Sequence, residues 1–112
     1  MASGFSLDRI YQLSLLYDFY GELLKENHKR MFEDYVLNNY SLGEIAAWQG
    51  VSRQAVFDTL RRSEALLENY EEKLGLIARR NLEQQLAEKL AQAEKQADWQ
   101  QVAEVRLQLL QK

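Results

Sequence analysis

Apolar side chains recur at steps of three and four residues in the first part of the chain. From Leu7 to Leu24 they form one stripe along a helix face, and Leu15, Phe19 and Leu23 form a second stripe. This spacing is typical of an amphipathic helix. The pattern predicts a first helix over this segment with two apolar sides, one of them suited to an interface.

A shorter second helix is predicted next. Asn27 is a residue type favoured at N-caps, and apolar residues from Met31 to Val36 continue the helical spacing. Asn38 and Asn39 end this helix, because asparagine competes for backbone hydrogen bonds and tolerates the left-handed region. We therefore expect a turn at the asparagine pair.

Two further helices are predicted on either side of a glycine. Ser41 and Glu44 have the spacing of a capping box, in which each side chain binds the backbone N–H of the other residue. Gly50 can supply the positive φ of a tight helix stop. Ser52 follows as the predicted N-cap of a fourth helix.

Residues 41–62 have the spacing of a helix-turn-helix, two helices joined by a short turn that contains glycine. Ala46 is small where the helices would cross, Val51 is expected to anchor the turn, and Val56 returns to the core. The alternative is an ordinary helix–glycine–helix corner in an all-α domain. We favour the helix-turn-helix because the two caps, the small residue and the glycine are all in register.

The second helix of such a motif places its N-terminal side chains against base edges in a DNA groove. Arginine can bind guanine through two hydrogen bonds, glutamine can bind adenine in the same way, and phenylalanine can contact the thymine methyl group. A serine and the free amides at the helix start can hold a phosphate. The predicted nucleic-acid-binding residues are Ser52, Arg53, Gln54, Phe57, Asp58, Arg61 and Arg62. The alternative is a solvated surface on which Asp58 pairs with Arg61 or Arg62.

The fourth helix has no stop before Gly75, so we extend it to about Lys73. Residues 76–112 are rich in glutamine, glutamate, alanine and leucine and carry a narrow apolar stripe. This stripe predicts a helical hairpin or coiled coil, with Asp98 as the cap of the last helix. The stripe consists of Leu82, Leu86, Leu90, Ala93 and Ala97, and the last helix carries Trp99, Val102, Val105 and Leu109.

The composition agrees with an all-α fold. The 112 residues include no proline, which is rare in helix interiors, and no cysteine, which excludes disulfide frameworks and thiolate catalysis. We expect a helix-turn-helix core of about four helices in residues 1–75. Residues 76–112 are expected to extend it as a hairpin packed on the same domain or on a dimer partner.

The net charge of the chain weakens the prediction of nucleic-acid binding. The net charge is −3, although nucleic-acid-binding proteins are commonly basic. Residues 41–62 differ from the rest, with three arginines against two carboxylates. Three cations neutralise few phosphates, so a monomer should bind duplex DNA weakly. Either a homodimer doubles the contact surface or the helix-turn-helix serves another partner.

Catalytic and cofactor chemistry finds little support. His28 is the only histidine, so no histidine-based metal cluster or Cys–His pair is available. Trp48 and Trp99 are expected to be packing anchors. We therefore predict a protein that is not an enzyme and uses no cofactor or metal. No leader or membrane span is expected, which favours a cytoplasmic location.

Several blocks of the sequence together span most of residues 10–75. They are 16–20, 23–24, 40–46, 51–58, 61–62 and 64–74. These blocks resemble the YlxM family of small bacterial helix-turn-helix proteins. The resemblance implies a winged-helix-like or sigma region-four-like core, with a helix-turn-helix similar to that of sigma-factor region four. It also implies a regulator or accessory factor whose gene commonly neighbours those of the signal recognition particle, with a role in that secretion pathway. Phe57 stands where the family usually has tyrosine, and residues 27–30 and the chain after Gly75 match less well.

Two classes of function remain open. The first is a DNA-binding regulator that acts through the helix starting at Ser52, with a homodimer spacing two such helices. The second is a non-catalytic interaction protein that binds the RNA or the protein subunit of the signal recognition particle. It would use the same basic helix or the aromatic first helix as its docking face.

Overall fold

The computed structural model describes residues 5–96 and 99–111, and within these ranges the chain is helical and contains no strand. The predicted all-α class is therefore confirmed, and no β-wing is present in this part of the chain. None of the helices described is long and apolar enough to cross a membrane. The helices are α1 (Leu7–Tyr20), α2 (Glu26–Phe32), α3 (Leu42–Gln49), α4 (Arg53–Leu74), α5 (Leu76–Lys95) and α6 (Trp99–Leu110).

The first helix ends earlier than predicted. After Tyr20 the chain tightens into a 3-10 turn over Gly21–Leu23, closed by a 3.1 Å hydrogen bond from the Leu24 N–H to the Gly21 carbonyl. Glycine is a weak helix former, and 3-10 turns are common at helix ends. A Cβ at Gly21 would lie 2.6 Å from the Tyr17 ring, so the close packing of this turn requires glycine.

The second helix begins at Glu26, so the predicted cap at Asn27 is wrong. Lys25 is extended and makes no side-chain cap, and the helix starts directly after it, which places Asn27 in the first turn. A π-helical segment over Glu33–Leu37 continues α2. Asn39 has φ 61°, so the predicted asparagine turn is confirmed.

The chain divides into two compact units, whose described parts are residues 5–74 and residues 75–96 with 99–111. In the first unit α4 packs against α1, α2 and α3. Val56, Leu60 and Leu67 form the buried stripe of α4, and burial of each such side chain contributes roughly 1.5–3 kcal/mol. The other fully buried side chains of this unit are Leu13, Tyr20, Phe32, Ile45 and Ser63.

Tyrosine hydroxyls of α1 bind carboxylates on other elements of the first unit. Tyr20 Oη donates to Glu71 Oε1 of α4 at 2.5 Å, and Tyr17 donates to Glu33 of the π-helical segment. Burial and the neighbouring Glu33 carboxylate raise the pKa of Tyr17, so this proton stays in place. The two bonds fix α1 relative to α4 and to the end of α2.

In the second unit α5 and α6 pack against each other, which confirms the predicted hairpin. Gly75 has φ 61° and separates α4 from α5. The buried side chains of the hairpin include Leu86 and Ala93 on α5 and Val102 and Val105 on α6.

The start of α6 differs from expectation. Trp99 is 66% exposed, so it is not a packing anchor. It is the first residue of the helix, and the buried side chains of α6 are Val102 and Val105. Ala97 and the predicted cap Asp98 lie outside the described residues, so that cap stays a prediction.

Candidate nucleic-acid interface

Local side-chain bonds define both helices of the helix-turn-helix. Ser41 Oγ accepts a hydrogen bond from the Glu44 N–H at 3.1 Å, and Glu44 Oε1 accepts one from the Ser41 N–H at 2.9 Å. The predicted capping box is therefore confirmed. Gly50 ends α3 with φ 69°, and Ser52 Oγ caps α4 by accepting from the Ala55 N–H at 3.0 Å.

Val51 does not anchor the turn, so this prediction is wrong. Its side chain is 42% exposed, whereas Ile45 and Val56 are fully buried and Ala46 is nearly so. The Val51 N–H donates to the Ala46 carbonyl at 3.1 Å. Such a bond closes a Schellman-type helix end through the backbone, which does not require a buried side chain at this position. Ile45 and Ala46 of α3 and Val56 of α4 are buried where these two helices pack against each other.

Ser52 is the N-cap of α4, and the other six predicted nucleic-acid-binding residues lie along α4 with unequal exposure. Phe57 is partly buried, and the other predicted residues are exposed. Arg53 and Gln54 lie in the first turn of α4, directly after the Ser52 cap. Arg61 and Arg62 follow about two turns later, where α4 is flanked by other elements of the unit.

Gln54 and Asp58 bind each other one helical turn apart. Gln54 Nε2 donates to Asp58 Oδ1 at 2.9 Å. Asp58 therefore does not pair with Arg61 or Arg62, as the alternative of a solvated surface supposed. It binds the amide one turn earlier, and Arg61 binds Glu64. A bidentate contact with adenine would use the Gln54 amide oxygen and one N–H, which leaves the second N–H for the bond to Asp58.

Phe57 and Arg61 form a cluster with Phe5, a residue that precedes α1. The Phe5 and Phe57 rings are stacked with centroids 6.4 Å apart, and Arg61 Cζ lies 4.8 Å and 5.0 Å from their centroids. Phe5 also meets Tyr35 edge-on at 5.9 Å. Cation–π attraction holds the guanidinium over the rings. A thymine methyl group could reach Phe57 only by displacing part of this cluster.

Glu64 compensates part of the positive charge of α4. Its Oε1 accepts from Arg61 Nη1 at 3.0 Å, and its Oε2 lies 2.8 Å from Arg9 Nε and 2.6 Å from Arg9 Nη2. Arg9 also pairs with Glu68. Sequence reasoning missed Phe5, Arg9 and Glu64. The three-residue spacing of Arg61 and Glu64 on a helix predicts their contact. No local pattern predicts a contact between Arg9 and Glu64, which are 55 residues apart.

Arg53 lies across the first turn of α3. A Cβ built on Gly43 would be 3.3 Å from Arg53 Nε and 3.5 Å from Arg53 Nη2. Glycine at this position therefore lets the guanidinium lie close to the α3 backbone. Among the residues that the structure describes, no ion pair involves Arg53 or Arg62.

Arg62 brings its charge to the neighbourhood of His28 on α2. Burial first, and then the charges of Lys25 and Arg62, lower the pKa of His28. Its Nδ1 is buried without a hydrogen-bond partner in the described part of the chain. His28 is therefore neutral near pH 7 and adds no charge to the surface. Within residues 5–96 and 99–111, no cluster of three or more His, Cys, Asp or Glu side chains could hold a metal ion.

Trp48 is not a packing anchor, so this expectation is wrong as well. It is 58% exposed, and its ring meets Tyr40 edge-on with centroids 4.8 Å apart. The buried face of α3 is formed by Leu42, Ile45 and Ala46, which leaves Trp48 outside the core. The Tyr40–Trp48 pair is an exposed aromatic surface on the helix-turn-helix unit.

Known proteins are similar to this chain over most of its length. A family model described as "Putative helix-turn-helix protein, YlxM / p13 like" matches residues 7–107. A UPF0122 protein of Geobacillus kaustophilus is 48% identical over 84 residues, which cover 75% of this chain and 76% of that protein. One of Halalkalibacterium halodurans is 45% identical over 92 residues, 81% of this chain and 84% of that protein.

A higher identity is found over a shorter segment. A UPF0122 protein of Thermoanaerobacter sp. strain X514 is 57% identical over 67 residues, which cover 60% of this chain and 57% of that protein. This chain thus matches less than two thirds of the length of that relative. The family model nevertheless includes the whole α3–α4 motif and most of the α5–α6 hairpin. The chain therefore belongs to the UPF0122 family of YlxM/p13-like helix-turn-helix proteins.

Proposed function

We propose that this protein is a DNA-binding regulator that presents the start of α4 to the major groove of duplex DNA. The capped turn between α3 and α4 is the observation that supports this most, because it leaves Arg53 and Gln54 exposed in the first turn of α4. Side chains in this position read base edges in helix-turn-helix proteins. Membership of a helix-turn-helix family supports nucleic-acid binding at the same general level.

Arg53 is the residue that we expect to contribute most to binding. It is exposed, no carboxylate in the described chain neutralises it, and its guanidinium lies where α3 and α4 meet. A guanidinium can bind guanine or a phosphate through two hydrogen bonds. Ser52 and the first amides of α4 are placed to accept a phosphate beside it.

The remaining predicted residues take different roles in this proposal. Gln54 and Asp58 act as a hydrogen-bonded pair that reads a base edge, and Arg62 contacts the DNA backbone. Phe57 and Arg61 support the helix through their contacts with Phe5 and Glu64, and they reach the nucleic acid only when those contacts loosen.

Binding by one copy is expected to be weak and strongly dependent on salt. Each neutralised phosphate changes the slope of log K against log salt by about −0.9, and Arg61 is partly compensated by Glu64. We therefore include a homodimer in the proposal, since two copies double the number of phosphate contacts.

In this proposal the α5–α6 hairpin extends the helix-turn-helix domain of residues 1–75. The protein is non-catalytic, uses no cofactor and acts in the cytoplasm.

A second function is a non-catalytic accessory protein of the signal recognition particle that binds its RNA or its protein subunit. Two observations favour it: Phe57 and Arg61 are engaged inside the unit, and Tyr40 and Trp48 form an exposed aromatic pair. Exposed aromatic rings serve both protein interfaces and the stacking of unpaired RNA bases. This function would also agree with the low positive charge.

Fluorescence anisotropy separates the two functions. We expect a pool of labelled duplex fragments from the source genome to bind more tightly than signal recognition particle RNA, with affinity falling as salt rises. Arg53→Ala should weaken duplex binding about tenfold, because a bidentate contact is worth roughly 1–3 kcal/mol.

The matched control is Arg79→Ala, which removes one exposed arginine of α5 that pairs only weakly with Glu83. It should leave duplex binding nearly unchanged. Equal losses in the two variants would show that only overall charge matters, and tighter binding of the RNA would favour the second function.

A further inference from the structure

Phe5 lies against the side of α4 that carries several of the predicted binding residues. Arg53, Phe57 and Arg61 follow one another at steps of four residues, so they share one side of the helix. The Phe5 ring stacks on the Phe57 ring at 6.4 Å, and Arg61 Cζ lies 4.8 Å from the Phe5 centroid. Phe5 therefore contacts this side of α4 one and two turns after Arg53.

The contacts of Arg61 draw its guanidinium away from the start of α4. Its Nη1 donates to Glu64 Oε1 at 3.0 Å, and Glu64 lies three residues further along the helix. The rings of Phe5 and Phe57 hold the same guanidinium by cation–π attraction. The Arg61 side chain nevertheless stays 52% exposed. Loss of one of these contacts would thus leave it free to turn towards a phosphate.

Phe5 can leave its position without unwinding α1. The helix is capped by the next residue, because Ser6 Oγ accepts from the Arg9 N–H at 3.1 Å. Phe5 itself is only partly buried. Its described contacts are those of its ring with Tyr35, Phe57 and Arg61. Displacement of the ring therefore breaks contacts near the surface and leaves the N-terminal cap of α1 in place.

We propose that Phe5 is a displaceable cover that withholds Arg61 from nucleic acid. Duplex DNA first binds the start of α4 through Arg53. A phosphate beside the third turn of the helix then competes with the Phe5 ring and with Glu64 for the Arg61 guanidinium. When Phe5 moves away, Arg61 adds one phosphate contact to the complex. This inference rests on the proposed binding of duplex DNA by α4.

Phe5→Leu tests the cover, because leucine keeps an apolar side chain but has no π face. We expect duplex affinity at low salt to rise about two- to fivefold, which corresponds to the loss of one cation–π contact at an exposed site. The slope of log K against log salt should steepen by about 0.9, as expected for one more phosphate contact. Both effects should disappear in an Arg61→Gln background, since no guanidinium is then released.

Leu7→Ala is the matched control. It removes an apolar side chain that is 85% exposed and lies two residues after Phe5, so it should leave duplex affinity unchanged. Equal affinities of Phe5→Leu and this control, or a gain that persists in the Arg61→Gln background, would overturn the proposal. The loss of binding expected for Arg53→Ala tests DNA binding by α4 separately.

Fluorine NMR follows Phe5 in the chain without any substitution. The chain has four phenylalanines, so labelling with para-fluorophenylalanine gives four signals, and the signal that Phe5→Leu lacks belongs to Phe5. Addition of duplex DNA should move this signal towards its position in the urea-unfolded chain. A Phe5 signal that stays in place while DNA shifts the amides of Ser52 and Arg53 would overturn the cover and support the proposed function. Absence of duplex binding in both the unchanged chain and Phe5→Leu would contradict both.

Discussion

Glu64 sets how much positive charge α4 presents. One of its oxygens accepts from Arg61, and the other pairs with Arg9 of α1. Its side chain is largely buried, so water screens these contacts less than those of a fully exposed pair. Arg61 is therefore both compensated and held against Phe5 and Phe57, whereas Arg53 is not compensated by any described carboxylate.

Replacing this carboxylate should strengthen nucleic-acid binding. Glu64→Gln removes one negative charge and loosens Arg61, so we expect duplex affinity to rise several-fold at low salt, with a steeper salt dependence. Folding stability should fall by about 1 kcal/mol as the ion pairs are lost. Anisotropy titrations at three salt concentrations measure the first effect, and urea unfolding measures the second.

Glu83→Gln is the control for that experiment. It removes an exposed carboxylate of α5 that pairs with Arg79, outside the helix-turn-helix. If both variants raise the affinity for duplex DNA equally, Glu64 acts only through the total charge, and its hydrogen bond to Arg61 has no separate effect.

The lowered pKa of His28 gives a prediction for how folding stability depends on pH. Because the folded pKa lies below the ordinary value of 6.5, the unfolded chain binds a proton more readily. The contribution of neutral His28 to stability is fully present above pH 6.5 and is lost as the pH falls from 6.5 through the folded pKa. When the pH is lowered from about 7.5 to about 5.5, the free energy of unfolding should therefore fall less in His28→Gln than in the unchanged chain.

Urea unfolding at the two pH values measures this difference, and the effects of the carboxylates cancel between the two proteins. Since the chain has one histidine, its imidazole can also be titrated without overlap in an NMR spectrum. An identical fall in both proteins, or a folded pKa above 6.5, would contradict the inferred environment of His28.

At the scale of elements, the junction between α3 and α4 depends on local bonds. The capping box of Ser41 and Glu44, the left-handed Gly50 and the Ser52 cap each involve residues within a few positions of one another. Such signals can be read from the sequence, and these were predicted correctly. The start of α2 could not be predicted in this way. Lys25, which has extended backbone and makes no side-chain cap, directly precedes the helix, and the favoured cap residue Asn27 lies inside it.

Gly50 offers a direct test of this junction. A Cβ at Gly50 would meet nothing within 4 Å, so the requirement for glycine comes from its φ of 69° and not from packing. Gly50→Ala should lower the free energy of unfolding by about 1–2 kcal/mol. Gly50→Asn should cost less, since asparagine tolerates the left-handed region. Thermal unfolding of both variants checks the order, and equal losses would mean that the strain argument fails.

At the scale of the whole molecule, contacts between distant segments explain what the sequence could not predict. The contact of Arg9 with Glu64 and the stacking of Phe5 on Phe57 join segments far apart in the chain. No periodic pattern in the sequence predicts such contacts. Large aromatic residues suggest burial, yet Trp48 and Trp99 lie on the surface. Six of the seven predicted binding residues lie on α4 and Ser52 caps it, but their partners, and hence their availability, depend on tertiary packing.

The molecule as a whole combines a compact helix-turn-helix unit with a helical hairpin and carries a net charge of −3. A protein of this charge should not bind DNA by general attraction, so any duplex binding has to come from a defined patch. We propose that this patch is the start of α4.

A titration of the isotope-labelled protein with duplex DNA at low salt, followed by backbone amide chemical shifts, shows which residues contact the DNA. We expect the largest changes in chemical shift at Ser52, Arg53 and Gln54, with smaller changes at Gly43 on the neighbouring turn of α3. Shifts concentrated instead on α1, around Tyr40 and Trp48, or on α6 would contradict it.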